Sequence, residues 1–524
     1  MKKVTAVIIL FAMLFGLAAC GGGSASSPPS GGAAAPAGGP SSTVSRITVA
    51  RPKDSDNLDP ISSVGNTNIW IYNLMLESLV KTSDDGKEIL ANLAESWTVS
   101  DDNKVYTFTL KPGVKFSDGS DVTVEDWVFT YERSLDWPDG NWAFASKNIE
   151  SVEARDANTF VVNLSAASPA TMANLSMFSL GVQSKAYYES VGDDGYVNGF
   201  IGTGPYKLKD WKKGEELILE RNPYYHREGL PKTDEISFKV VPDDNARAMQ
   251  LQAGEVDVIT FVPPSMLKEL SGVSGINIQD NASTETRFIA MNTESEFLSN
   301  QSIRRAINLA TDNQAIVDMV LFGYGSPGVS FLQGTSAYLN PSIPAPRPDI
   351  EAAKTLMEKS GFGGGVTVNM LVSAGNAMEE QIATILKEQW AQIGVTVDIQ
   401  PEEQANYKTR LYSIDFDTVI DYWTDDVPDP IQFLEAVCVY DLYATFDTNY
   451  YEPKLEELNE KQAIEMDGQK RAQYIYEIQQ IVADAGIFVP LCYVPYGVAM
   501  SDKVSGFIQT PLGNYRFENL VKAP

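Results

Sequence analysis

Residues 382–399 read IATILKEQWAQIGVTVDI. Ile382, Ile385, Leu386, Trp390 and Ile393 recur three or four residues apart, so they share one face of an α-helix. Gly394 follows as its stop, because glycine takes the left-handed backbone that ends a helix. Val395, Val397 and Ile399 then alternate with polar residues at the period of two that marks a strand. Helix, glycine, strand is the grammar of an α/β layer, in which a helix packs its apolar stripe against the sheet it feeds. The step recurs upstream: a helix from Asp244 stops at Gly254, and Val256 to Ile259 continue as a strand. Ile303, Ala306, Ile307 and Ala310 form another stripe. A further helix starts near Asp312, with Ile316, Val317, Val320 and Leu321 inward and Gly323 as its stop. One region departs from this pattern. Tyr106, Phe108 and Leu110 alternate with threonines, Pro112-Gly113 turns the chain into Val114 and Phe116, and Asp118-Gly119 turns it again, which predicts antiparallel hairpins.

Composition narrows the chemistry. The chain has 524 residues and a formal charge of −29, room for about three units of about 150 residues each. So acidic a surface repels nucleic acid and offers no basic patch to anionic lipid. The single histidine, His226, lies in the polar turn Arg221-Asn-Pro-Tyr-Tyr-His226. A Ser-His-Asp or Cys-His catalyst would need that one residue, and three cysteines leave too few ligands for a multi-His/Cys zinc site. Neither a phosphate-binding Gly-x-x-x-x-Gly-Lys loop nor a Gly-x-Gly-x-x-Gly following a strand is present. No cofactor and no metal are expected.

The start of the chain sets where it works. Lys2 and Lys3 precede a short apolar run, Val4 to Gly16, that ends in Leu17-Ala18-Ala19-Cys20. This reads as an export signal, since a spanning helix needs about 20 apolar residues. Small residues before a cysteine resemble the lipobox of bacterial lipoproteins, which implies a signal peptide over 1–19 and a lipid on Cys20; an ordinary cleaved signal is the alternative. The stretch 20–45, almost all Gly, Ser, Ala and Pro, reads as a flexible leash. Cys438 and Cys492 then remain in an exported body, where a disulfide is allowed and two buried free thiols are the alternative.

Several segments in order carry a family resemblance: Leu58-Asp59-Pro60, Leu93-Ala94-Glu95-Ser96-Trp97, Tyr106 to Leu110, Val114-Lys-Phe-Ser-Asp-Gly119, and Gly202-Thr-Gly-Pro-Tyr206 with Arg221-Asn222-Pro223. Ala253-Gly254-Glu255-Val256-Asp257, Met291-Asn292-Thr293, Ile303-Arg304-Arg305-Ala306-Ile307 and Trp423-Thr-Asp-Asp426-Val-Pro-Asp429-Pro430 follow. Together they resemble the extracellular solute-binding proteins, family 5, the oligopeptide, dipeptide and nickel type that serves bacterial ABC importers. The resemblance implies an α/β, two-lobed periplasmic-binding-protein fold (type II, peptide-binding subgroup) with an extra domain inserted in the first lobe. Lobe I would comprise 46–76, 184–285 and 496–524, the extra domain 77–183, and lobe II 286–495, with crossing strands near Arg287 and Pro495 as the hinge. The lobes would close on a ligand and present it to ABC permease subunits, the protein being a lipid-anchored monomer on the outer face of the cell membrane, or in the periplasm where there are two membranes.

The same resemblance nominates site residues. In peptide-binding relatives an aspartate three residues after a tryptophan meets the ligand's α-ammonium group, and Trp423 to Asp426 has that spacing. A buried ammonium needs an ionised, hydrogen-bonded partner. Trp423 and Tyr422 would form a pocket wall, Tyr422 narrowing it where relatives carry glycine. Trp142 lies close to a ligand-contacting aromatic of the family, and Val64-Gly65-Asn66 align with a loop that touches ligand backbone. Asp425 is expected to be exposed, and Asp429-Pro430 to brace a turn. Where some relatives hold an arginine for the peptide's carboxylate, this chain has Ile420 and Val372-Ser-Ala-Gly375, which points to longer peptides or to a non-peptide ligand such as a metal chelate, haem or oligosaccharide. A glycoside hydrolase with paired carboxylates in an aromatic cleft, or a surface receptor, are the competing functions.

Overall fold

The structure, a computed structural model, describes residues 44–138, 140–440 and 446–524. The expected signal peptide, Cys20 and all but the last two residues of the expected leash lie outside the described residues. No helix among the described residues is long and apolar enough to cross a membrane.

Two large sheets organise the body. The first has seven strands, in the order Ile276–Asn281, Tyr496–Ser501, Val258–Thr260, Arg46–Arg51, Glu235–Val240, Glu216–Arg221 and Tyr206–Lys212. Its strands come from three separate stretches of chain. The second has six, in the order Ser326–Pro327, Phe488–Tyr493, Thr286–Met291, Thr418–Trp423, Val366–Ser373 and Val395–Glu402. Both mix parallel and antiparallel pairs: Arg46–Arg51 runs parallel to Glu235–Val240, and Val366–Ser373 parallel to Val395–Glu402. The helix–glycine–strand unit is as its sequence predicts. Helix Ala377–Ala391 buries Ile382, Ala383, Leu386 and Trp390, Gly394 adopts φ +80°, and the strand begins at Val395. The Trp390 indole donates to Thr311 Oγ1 at 3.0 Å, so the buried ring leaves no orphaned N–H.

A four-stranded antiparallel sheet, Ala94–Val99, Val105–Leu110, Thr159–Leu164 and Ile149–Asp156, forms a third unit. Its pairing differs from the hairpin expected at Pro112-Gly113. Val105–Leu110 pairs with Ala94–Val99 and Thr159–Leu164, while Val114 to Phe116 pair back on Ser120 to Val122 across the expected Asp118-Gly119 turn, with Lys115 opposite Asp121, Val122 N–H donating to Val114 O and Phe116 N–H to Ser120 O. Two partners from flanking chain already fill both edges of Val105–Leu110, so no edge remains for a local return strand. The apolar face of this unit is continuous with the core under the first sheet: Phe108, Val162, Leu217 and Phe238 belong to one buried cluster.

The chain passes between the two large sheets at two adjacent points. Strand Ile276–Asn281 of the first leads into Thr286–Met291 of the second, and Phe488–Tyr493 of the second leads back into Tyr496–Ser501 of the first. The crossings are tied together: Val494 N–H donates to Glu285 O at 3.2 Å, and the Ser283 hydroxyl to Val494 O. Elsewhere the two halves meet through the loop after Trp423. Val427 is fully buried in the core of the first half, and Lys147 of the third unit pairs with Glu435.

Cys438 and Cys492 are free and buried, so the allowed disulfide is not formed. Cys492 packs in the cluster that contains Ile420 and Trp390, and Cys438 in the cluster around Phe288 and Phe433. The sheet lies between them. Burial pushes the Cys492 thiol up to about 12 and raises Cys438 as well, which makes both unreactive.

Candidate functional site

Strand Thr418–Trp423 positions the site. Successive side chains alternate across a sheet, and here Val419, Asp421 and Trp423 face the cluster of Phe288, Phe433 and Phe446, while Ile420 faces the opposite core. Trp423 stacks on Phe433 with centroids 4.6 Å apart and planes within 4°, and meets Phe446 edge-on. Its indole N–H donates to Asp425 Oδ1 at 2.8 Å. Asp425 is therefore not the exposed residue the sequence predicts. It is buried, its backbone N–H donates to Thr284 Oγ1 at 3.0 Å, and burial drives its carboxyl well above the usual range despite the indole donor. Asp429 braces its turn as expected, accepting from Ile431 N–H at 3.0 Å, and it has a partner sequence did not point to: the Arg471 guanidinium donates to both its oxygens at 2.5 and 2.7 Å, both side chains being buried.

Asp426, Trp423 and Tyr422 line one cavity of about 860 Å³ in the second half, within the range of small-molecule sites. Tyr407, Tyr412 and Phe446 complete its aromatic wall, and Gln404, Lys408 and Gln432 are among its polar members. Asp426 forms no ion pair among the described residues. Burial raises its carboxyl to about 7, with the Gln432 side chain drawing it back down. Tyr422 is 45 % exposed and lies under the Arg287 guanidinium, 5.0 Å from ring centroid to charge. Arg287 is itself committed, to Glu285 at 2.7 Å and Glu379 at 3.5 Å; burial alone would lower its pKa, and these two carboxylates more than reverse that.

Two more carboxylates line the same cavity, Asp421 and Asp447, which sequence reasoning missed. Asp421 had a legible signal: an acid on the strand face otherwise carrying Val419 and Trp423. Asp447 had none, because it reaches the cavity only through the path of the chain after the helix Ile431–Cys438. Among the described residues, Lys408 is the one cationic side chain that lines the cavity. A cavity with three acids, one exposed lysine and five aromatic rings attracts positive charge on an apolar frame.

The first-half candidates fall elsewhere. Trp142, Val64, Gly65 and Asn66 do not line this cavity. They are brought to one another instead: the buried Trp142 indole donates to Ser63 O at 2.8 Å and packs edge-on against Phe178. Gly65, at φ +100°, caps the helix Asn66–Met75, and Val64 is 42 % exposed. His226 is absorbed structurally, its Nε2 lying 3.0 Å from Glu77. No group of three or more His, Cys, Asp or Glu side chains among the described residues could hold a metal ion.

Two crossings between two mixed sheets, with an acid-lined cavity in one half, define a two-lobed binding protein. The profile of the bacterial extracellular solute-binding proteins, family 5 Middle, matches residues 88–440, and the chain belongs to that family. It is 26% identical over 485 residues to the probable D,D-dipeptide-binding periplasmic protein DdpA of Escherichia coli (strain K12), covering 89% of this chain and 92% of that one. It is 27% identical over 476 residues to heme-binding protein A of Haemophilus influenzae, covering 84% and 85%. Among solved structures it is similar to the ABC transporter substrate binding protein CtaP of Listeria monocytogenes, with a TM-score of 0.83 and 25% identity over 92% of this chain and 100% of that one.

Proposed function

We propose that the protein captures a small solute bearing a free ammonium group, an oligopeptide foremost, and passes it to the permease of an ABC importer without breaking any bond in it. The observation that carries this reading is Asp426: a carboxylate without an ion-pair partner in an aromatic-walled cavity, where an ammonium supplies the missing charge. The lack of an uncommitted buried cation beside it among the described residues favours ligands whose carboxylate lies far from the amine, or which have none. With lobe I over 46–76, 184–285 and 496–524, an extra domain over 77–183 and lobe II over 286–495, both chain crossings would serve as the hinge. Closure would bring Trp142 and the Val64-Gly65-Asn66 loop toward the ligand, with contacts from both lobes favouring the closed state. A lipid on Cys20 would tether a monomer to the outer face of the membrane.

Mass spectrometry of ligand released from the purified protein, followed by calorimetry with free and N-acetylated forms of the same peptide, tests this reading. Tight binding of the free form and at least about tenfold weaker binding of the acetylated form, or 1.4 kcal/mol, is the expected result. Equal affinities would remove Asp426 from the ammonium role, and turnover of any bound solute would overturn the function.

A further inference from the structure

We propose that Asp421 and Asp447 form a second cation subsite in the same cavity, which receives the ammonium or guanidinium of a basic side chain on the ligand; this rests on the ammonium-binding role of Asp426. Asp421 projects from the strand Thr418–Trp423 onto its apolar face. Asp447 comes from a distant stretch of chain, held at φ +63° by neighbours tied to the end of strand Thr286–Met291. Thr293 N–H donates to Thr448 O at 2.8 Å, and the Asn449 side chain to Asn292 Oδ1 at 3.1 Å. Two independent parts of the fold thus deliver carboxyl groups to one point on the cavity wall.

Asp447 is only 7 % exposed, yet its only side-chain polar partner among the described residues is another acid, Asp421. Two carboxyl groups in contact cannot both ionise without a counter-charge, so the unliganded pair must retain a proton. Burial, and then the partner acid, raise Asp447 well above the usual carboxylate range, and burial raises Asp421. Arg287 draws Asp421 only partly back down and is itself held by Glu285 and Glu379; among the described residues no cation acts on Asp447, and Lys408 is exposed. Asn at either position would keep the shape and remove the cost, so the acids have a use beyond packing. Tyr407 and Phe446 line the cavity beside the pair, and the Tyr407 hydroxyl donates to Ile420 O at 3.1 Å, fixing that ring. Aromatic faces suit the aliphatic stem of a lysine or arginine. The set lacks the third ligand a bound metal ion would need, which favours an organic cation.

The test is calorimetry on the whole protein with Ala-Lys-Ala, Ala-Arg-Ala and Ala-Ala-Lys against the same peptides carrying norleucine at the basic position, each with a free and an acetylated amine. The basic peptides are expected to bind at least about tenfold tighter than their norleucine counterparts. Asp447→Asn, or Asp421→Asn should the first variant fold poorly, abolishes the difference in affinity between basic and norleucine peptides. Equal affinity of basic and norleucine peptides, with acetylation still weakening both, overturns the second subsite and leaves the Asp426 role intact. Failure of every peptide to bind overturns both. A thermal shift with Mg2+ or Ca2+ alone, removed by Asp447→Asn, overturns the organic-cation assignment.

Discussion

The pH dependence of binding follows directly from Asp426. Burial raises its carboxyl to about 7 in the unliganded protein, so near pH 6 about nine molecules in ten carry it protonated and must lose that proton to accept an ammonium. Affinity for the ammonium form of a ligand should fall about tenfold from pH 8 to pH 6, or 1.4 kcal/mol, and the observed affinity about fivefold, because about half of the α-amine is already uncharged at pH 8. Trialanine is the suitable probe because its only cation is the α-amine. That amine titrates near pH 8, so affinity is bell-shaped, and the acid limb belongs to the protein. Stability has the opposite sign. A carboxyl whose folded pKa lies above its unfolded value of 3.8 favours folding below pH 4 and loses that contribution as pH rises through 7, by up to about 4 kcal/mol. Asp426→Asn should therefore weaken trialanine binding, erase the acid limb and raise the melting temperature of the unliganded protein at pH 7.5. Calorimetry from pH 5.5 to 8.5 together with scanning calorimetry reads all three. An acid limb unchanged in Asp426→Asn would refute the assignment.

Other consequences follow from the surrounding structure. Arg471→Ala strips the buried Asp429 of its two charge-assisted bonds and should cost about 3–5 kcal/mol in urea unfolding; retention of native stability would mean water replaces the guanidinium. Cys438 and Cys492, buried and free, should resist a thiol reagent in the native protein and both react in denaturant, whereas a disulfide would leave neither reactive before reduction. Gly394→Ala places a side chain at φ +80° with its Cβ 3.3 Å from Gly365 Cα, which should destabilise by about 1–2 kcal/mol; an unchanged unfolding midpoint would show that the turn relaxes. Trp423→Phe keeps much of the stack on Phe433 but removes the donor to Asp425, so a loss of about 1–3 kcal/mol is expected, read by the same unfolding assay.

Local pattern was enough wherever one face of one element determined the outcome. The stripe from Ile382 to Ile393 with Gly394 and the alternation after it specified a helix and a strand, because burial of those side chains requires the periods 3.6 and 2. The order of short motifs was enough to identify the family, since it reflects many positions at once. The spacing from Trp423 to Asp426 marked two residues that do share a cavity.

What the sequence could not determine is set by contacts between distant stretches. Val105–Leu110 paired with the strand before it and with the distant Thr159–Leu164 rather than with the segment that follows it, and Asp425 was buried by an indole two residues away together with Thr284 from across the chain crossing. The two cysteines were separated by a sheet whose strands no local signal orders. Trp142 and the Val64-Gly65-Asn66 loop were drawn together by one hydrogen bond between residues 79 positions apart. Asp447 met Asp421 only because the backbone between Asn292 and Asn449 folds back on itself. Propensity and periodicity act over a few residues, whereas desolvation and charge act on whichever groups the finished fold places side by side. Secondary structure and kinship were therefore legible in the chain, and the electrostatic character of the site was decided by tertiary packing alone.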